Sequence, residues 1–212
     1  MGKTDEDGGK LKRRARSDGR KSEKSDEREM QIVDLEPDHE KLISQIAAML
    51  VEVFKEHSPE AWPDMNAALK EVRESFAADR ISRVAIDNSE NVLGWIGGIR
   101  QYDGQVWELH PLVVSLAAQG RGVGRALVTD LEARVKERRA LTLWVGTDDE
   151  DNQTSLAGVD LYPNVFEHIV NIKNLRNHPY EFYQKLGFVI VGVMPDANGF
   201  GKPDIYMAKR VS

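Results

Sequence analysis

Glu108 and His110 stand two residues apart in the apolar run Trp107–Val114, WELHPLVV. On an extended strand that spacing puts both side chains on one face. A carboxylate there can take a proton from a nucleophile, directly or through water, and a positioned base contributes roughly 10²–10⁴-fold. His110 could relay that proton or orient Glu108; the alternative is a hydrogen-bonded strand histidine without a chemical role. Beyond the run lies a glycine-rich turn, Gln119-Gly120-Arg121-Gly122-Val123-Gly124-Arg125, that opens into a helix. A helix N-terminus presents unpaired N–H groups and partial positive charge, which suits phosphate. Glycine lets backbone approach an anion closely, and Arg121 and Arg125 add charge for phosphate oxygens.

The turn ends Gly124-Arg125-Ala126, not the GK[ST] of a P-loop. Read as G-x-G-x-x-G from Gly120 or Gly122, the sixth position is Arg125 or Leu127, so the dinucleotide fingerprint also fails. Q-x-x-G-x-G does fit, at Gln119, Gly122 and Gly124. It resembles the pyrophosphate signature of the GNAT superfamily of acetyl-CoA-dependent N-acetyltransferases. Taken alone, the same glycines could merely start a helix.

The elements that must hold these residues follow from periodicity. Gln31–Leu35 reads as a strand, Asp38–His57 as a helix with Leu42, Ile43, Ile46 and Leu50 on one face, and Trp62–Ala77 as a second helix. Ser82–Asp87 and Val92–Tyr102 predict a hairpin, and Val106–Val114 the strand bearing Glu108. Val123, Leu127, Leu131 and Val135 predict the helix after the cradle. Ala140–Gly146 predicts a strand, Thr147–Asp160 a polar loop, Leu161–Lys173 and Pro179–Leu186 helices, and Phe188–Val193 and Ile205–Arg210 closing strands. The fold class is α/β with a mixed sheet and no internal repeat.

The chain has 212 residues, no cysteine and a net charge of −6. Thiol catalysis and disulfides are excluded. The acidic balance argues against general nucleic-acid binding and favours cationic substrates. No apolar run reaches the ~18 residues of a membrane span, and no apolar leader opens the chain; a cytoplasmic protein is expected. Residues 1–29 are almost wholly Lys, Arg, Asp, Glu, Gly and Ser, and are expected to be a disordered tail, with the folded domain at 30–212. The basic cluster Lys10–Arg16 reads as solvated, flanked as it is by acidic residues. Met30 is the start of the fold or an alternative translation start.

Longer blocks extend the resemblance. WELHPLVV (107–114), GTDDEDNQTSL (146–156), NLRNHPYEFYQKLGF (174–188) and VGVMPDANGFGKPDIYMAK (191–209) are similar to the aminoglycoside 6'-N-acetyltransferases, most of all the chromosomal, homodimeric enterococcal type. The match is strong over residues 90–210 and loose over 31–89. It implies a GNAT fold with splayed central strands, acetyl-CoA as cofactor, no metal, a homodimer and an aminoglycoside as cationic substrate. It also implies residue roles. Glu108 is the base or the anchor for the amine, with His110 beside it. The Leu112 N–H is the oxyanion donor, and the Val113 and Val114 backbone pairs with pantetheine. Gln119 to Arg125 hold the pyrophosphate, Asn174 a pantetheine amide, and Tyr183 the coenzyme sulfur, which it can protonate. Asp148 and Asp151 of the acidic run, with Trp62 and Tyr102, face the substrate. Tyr180 and Phe182 read as packing. Two positions depart from the enterococcal pattern: Ser115 replaces an acidic residue, and Gly120–Gly124 is a cleaner superfamily cradle. The expected reaction is direct acetyl transfer to the 6'-amine in a ternary complex, conferring antibiotic resistance. The alternatives are acetylation of polyamines or basic peptides, and a catalytically silent acyl-CoA-binding module.

Overall fold

The computed structural model describes residues 30–212, and the expected tail at 1–29 lies outside the described residues. Seven strands form one mixed sheet in the order β1-β2-β3-β4-β5-β7-β6. They are β1 (Gln31–Asp34), β2 (Arg80–Ile86), β3 (Val92–Gln101), β4 (Val106–Val114), β5 (Thr142–Asp148), β6 (Val189–Met194) and β7 (Asp204–Arg210). The helices are α1 (Glu40–Phe54), α2 (Met65–Glu74), α3 (Val123–Glu137), α4 (Val165–Val170) and α5 (Tyr180–Gln184).

Every neighbouring pair of strands is antiparallel except β4 and β5. That parallel pair is joined only where Val106, Trp107 and Glu108 meet Thr142, Leu143 and Trp144. Beyond Glu108 and Trp144 the strands separate, and the sheet divides into two arms. Helices α1 and α2 cover one face of the first arm, burying Ile43, Ile46, Leu50 and Val72 against Val84, Trp95 and Val113. Helix α3 covers the opposite face, where Leu127, Leu131 and Val135 meet Leu109, Leu143, Val145, Ile205 and Met207.

A bulge sets the phase of β4. Ile96 pairs with Leu112 and Gly98 with Leu109, so Gly97 alone opposes His110 and Pro111. Before the bulge, Glu108 faces away from α3 while Leu109 packs toward it; after it, Leu112 and Val114 pack on the α3 side and Val113 on the α1 side. Strict alternation would have kept Leu112 on the face of Glu108. Gly97 permits the bulge, because a β-carbon there would collide with the His110 carbonyl oxygen.

Several boundaries differ from the sequence reading for visible reasons. Helix α2 begins after Asp64, whose carboxylate accepts the Asn66 and Ala67 N–H groups at 2.8 and 2.9 Å, so Trp62 and Pro63 lie outside it. The helix expected over Leu161–Lys173 shrinks to α4. Its end is drawn away: Lys173 N–H donates to Ser155 Oγ, Leu175 N–H to the Gln153 carbonyl, and Asn174 bridges Thr154. Strand β5 runs two residues further than expected, so Thr147 and Asp148 are sheet residues rather than loop.

Gly97→Ala is expected to lower unfolding free energy by about 1–3 kcal/mol, the cost of overpacking against backbone. Urea denaturation checks the loss, and a Gly98→Ala variant, which meets side chains instead, provides the comparison.

Candidate active site

The separation of β4 from β5 leaves the outer edge of β4 without a strand partner from Leu109 to Val114. Unpaired backbone N–H and C=O groups can take an extended ligand as an added strand. The edge leads to the glycine turn. Gly120 and Gly122 have φ of +72° and +86°, and a β-carbon on either would meet nothing within 4 Å. The turn is therefore open on its outer side, and Gly122 forms the N-cap of α3 in left-handed conformation. Gln119 Nε2 donates to the Val114 carbonyl, tying turn to strand. Arg121 and Arg125 are exposed, while Val123 is buried as an α3 core residue. Gly124 lies close to Phe182 Cζ and Val114. The turn, α3 and the β4 edge thus fit a pyrophosphate with an extended arm.

A cavity of about 980 Å³ lies in the opening between the arms. Leu109, Pro111, Leu112 and Gln119 line it from β4 and the turn, Val145 to Asp148 from β5, and Phe182 and Tyr183 from α5. Tyr183 is buried, ring-stacked edge-on with Phe182 and Phe188, and its hydroxyl has no hydrogen-bond partner among the described residues. Burial alone pushes its pKa far above the ordinary phenol value, so the phenol keeps its proton. The far wall comes from the α1–α2 loop. Trp62 packs edge-on against Phe54, with ring centroids 4.6 Å apart, and approaches the His110 ring.

This cavity is acidic. Glu60, Glu71, Asp148, Glu150 and Asp151 line it, together with His57 and His110 but no lysine or arginine. The remaining acidic residue of the loop run, Asp149, is turned inward instead. It is buried and accepts the Gln153 and Thr154 N–H groups at 2.7 and 2.8 Å.

Glu108 sits where the arms divide, off the cavity wall, half-buried. Gln101 Nε2 donates to its Oε2 at 2.6 Å, and Gln101 Oε1 accepts the Trp144 indole N–H at 3.0 Å. The indole thereby orients the amide so that its NH₂ faces the carboxylate. Burial raises the Glu108 pKa, against opposing pulls from His110, Arg80 and the Gln101 bond. Along the same face of β5 and β7, Trp144 packs edge-on against Tyr206, and Asp148 is paired in register with Asp204. Like charges directly opposite repel. Burial first, then Asp148, pushes the Asp204 carboxyl up to about 7, and its Oδ1 is buried without a hydrogen bond. The carboxylate lies over Gly146, where any β-carbon would strike it.

The sequence matches the description Acetyltransferase (GNAT) family over residues 46–159. Solved structures agree. A coenzyme A complex of an aminoglycoside 6'-N-acetyltransferase is 40% identical, with a TM-score of 0.78, over 86% of this chain and 97% of that one. The Enterococcus faecium aminoglycoside 6'-N-acetyltransferase matches at 40% identity and 0.77 over the same shares. The type Ii aminoglycoside 6'-acetyltransferase matches at 36% and 0.67, again over 86% and 97%. The chain belongs to the GNAT acetyltransferase family. No curated protein matches the sequence significantly.

The acetyltransferase brings seven of the residues picked from sequence to one cleft: Trp62, His110, Leu112, Gln119, Asp148, Asp151 and Tyr183 all line it. Tyr102 lies apart, in a 3₁₀ turn and largely exposed. Asn174 is occupied with the loop itself, its amide bonded at both ends to the His178 backbone. Sequence reasoning missed Gln101, Trp144, Asp204, Tyr206, His57 and Glu71. The strand alternation of DIYMAKR could have flagged Asp204 and Tyr206 as sharing a face. The remaining pairings join distant segments and left no local signal. His178, also missed, is buried; Tyr180 N–H donates to its Nδ1, so its Nε2–H donates to the Asp148 carbonyl and braces the end of β5.

Asp204 makes stability depend on pH. Its carboxyl has a higher pKa folded than unfolded, so the contribution it makes is present at acid pH and lost as pH rises through about 7. Asp204→Asn should flatten the melting-temperature profile between pH 5 and 8 and melt above the parent by about 3 °C or more at pH 8. Differential scanning calorimetry across that range checks it.

Proposed function

We propose that this acetyltransferase moves the acetyl group of acetyl-CoA to the 6'-amine of aminoglycosides by direct attack in a ternary complex, and that it confers resistance to them. The observation that carries the proposal is the cleft wall: five carboxylates and no lysine or arginine beside an open pyrophosphate cradle. Such a wall draws and holds a polycation. The structures at 36–40% identity are of aminoglycoside 6'-N-acetyltransferases, which names the polycation.

Bound acetyl-CoA supplies an activated thioester; the chain's own residues do the rest. The turn from Gln119 to Arg125 holds the pyrophosphate on glycine N–H groups and two guanidinium ions. The free edge of β4 holds the pantetheine arm, with the Leu112 N–H serving as oxyanion donor, a contribution of roughly 3–4 kcal/mol in related chemistry. An aliphatic amine arrives as an ammonium and must lose a proton before attack. Glu108 takes it, through water, since the carboxylate lies behind the cavity surface. Its raised pKa makes it a stronger base than an exposed glutamate, and Gln101 fixes which oxygen stays free. The buried Tyr183 phenol is a poor acid, so it acts as a fixed hydrogen-bond donor beside the leaving sulfur.

The domain spans 30–212, and we place it in the cytoplasm; no helix among the described residues is long and apolar enough to cross a membrane. A second copy of the chain is proposed to cover the edge strand β6, where Val189, Val191 and Met194 are exposed. Static light scattering is expected to give twice the chain mass for the parent and the single mass for Val191→Glu.

Turnover should follow kanamycin far above spermidine or a lysine-rich peptide; the reverse order would move the assignment to polyamines or peptides. Coenzyme A binding without turnover of any of the three would mark a silent module. Because Glu108 must be ionised to accept a proton, activity falls on the acid side of its raised pKa. Glu108→Gln should lower kcat by about 10²–10³-fold and remove that acid limb from the pH–rate profile. A mutant that keeps the limb would exclude Glu108 as the base.

A further inference from the structure

Both imidazoles of the cleft already sit against its carboxylates. His110 Nε2 is 3.9 Å from Glu71, and His57 Nδ1 is 2.7 Å from Asp151 Oδ2. The second contact spans the cleft. His57 lies in the loop after α1, on the first arm of the sheet; Asp151 follows β5, on the second. Next to it, Ser58 Oγ donates to Glu150 Oε1 at 3.0 Å. These two bonds tie together, across the opening, the arms that separate beyond Glu108. The histidine and aspartate side chains are 63% and 41% exposed, so water can reach the pair and either side chain can turn away.

We propose that His57 is an internal stand-in for a substrate ammonium: it occupies Asp151 when no polycation is bound and must be displaced by one. It is a specificity-determining residue for the reaction proposed above and rests on that reading. A substrate with several ammonium groups has one to spare for Asp151 and gains by replacing the imidazole. A monoamine, whose only charge belongs at the reacting position beside Glu108, leaves the clasp closed. The clasp therefore tempers the preference for polycations over simple amines, and only slightly, because an exposed contact of this kind is weak.

The test compares kanamycin with methyl 6-amino-6-deoxy-glucoside, a single-ammonium sugar, in His57→Ala, His57→Lys, Asp151→Asn and the His57→Ala/Asp151→Asn pair. Removing a weak competitor should lower the kanamycin KM roughly two- to five-fold in His57→Ala. The change should be confined to KM, and the monoamine KM should stay fixed. His57→Lys, a permanent ammonium on the same seat, should raise the kanamycin KM. Asp151→Asn should raise it too, and adding His57→Ala to that variant should then do nothing. A rise in kanamycin KM in His57→Ala would overturn the proposal, since the clasp would then be a wall the substrate needs. An equal fall for the monoamine would also overturn it, as general opening of the cleft. If Asp151→Asn raises KM but His57→Ala leaves it unchanged, only the stand-in role fails. If Asp151→Asn itself changes nothing, the reading of Asp151 as a substrate seat fails with it. Melting temperatures of all variants separate these outcomes from unfolding.

Discussion

The site exists because β4 and β5 stay paired for only three residues. Parallel pairing ends at Glu108 and Trp144, and everything that could be chemistry lies at or beyond that point. Had the ladder continued, the N–H groups between Leu109 and Val114 that point away from β3 would be spent on β5. There would be no edge for a cofactor arm and no cavity between the arms. An unpaired strand edge inside a protein is normally a defect. Here it is kept apart by what fills each side: α1 and α2 are packed on the first arm, α3 spans both from the other face, and α5 enters the opening with Phe182 and Tyr183.

The bulge at His110–Pro111 adds something that the splay alone could not. It lets one strand serve two faces in turn. Glu108 and His110 look toward the face of β5 and β7 where Asp148, Asp204 and Tyr206 stand. After the phase change, Leu112 and Val114 pack toward α3, beside the first turn of the cradle helix. Glu108 and the strand end that leads into the glycine turn are thereby held by one continuous strand yet face opposite sides of the sheet. The constraint reaches the neighbouring strand, where Gly97 must be bare.

Much of this was legible in the residues. The open glycine turn before α3 could be read because it is a local run: glycines at fixed offsets before a helix. The order of strands and helices could be read for the same reason, since period and caps are local. The phase of β4 was legible only in part: Pro111, which lacks an N–H, suits a bulged strand. Alternation predicts one face for Glu108, His110 and Leu112, and only the register against Gly97 breaks it. Nor could Gln101, Trp144 and Glu108 be joined from sequence, being 7 and 43 residues apart along the hydrogen-bond path. Asp148 was read as a substrate-facing loop residue of the acidic run; the structure makes it the last residue of β5, cross-strand from Asp204, while its neighbour Asp149 caps the loop.

The placement of the charges favours the proposed polycation over a simple amine. A carboxylate held against a like charge has its pKa raised and costs stability, as Asp204 does beside Asp148. A single ammonium at the reacting position relieves only the charge nearest Glu108. A substrate with ammonium groups spread over several sugar rings can meet the platform carboxylates and the loop carboxylates together. An ammonium near Asp204 favours its ionised form, so binding is strengthened by relieving a repulsion already present in the folded chain. Tyr183 sits outside this field, on the α3 side, where burial and not charge sets its proton affinity. The two groups proposed to handle protons are thus set separately: Glu108 by a half-buried position among polar partners, Tyr183 by apolar packing. A single change in the acidic platform can therefore alter which amines bind without altering how the leaving sulfur is met.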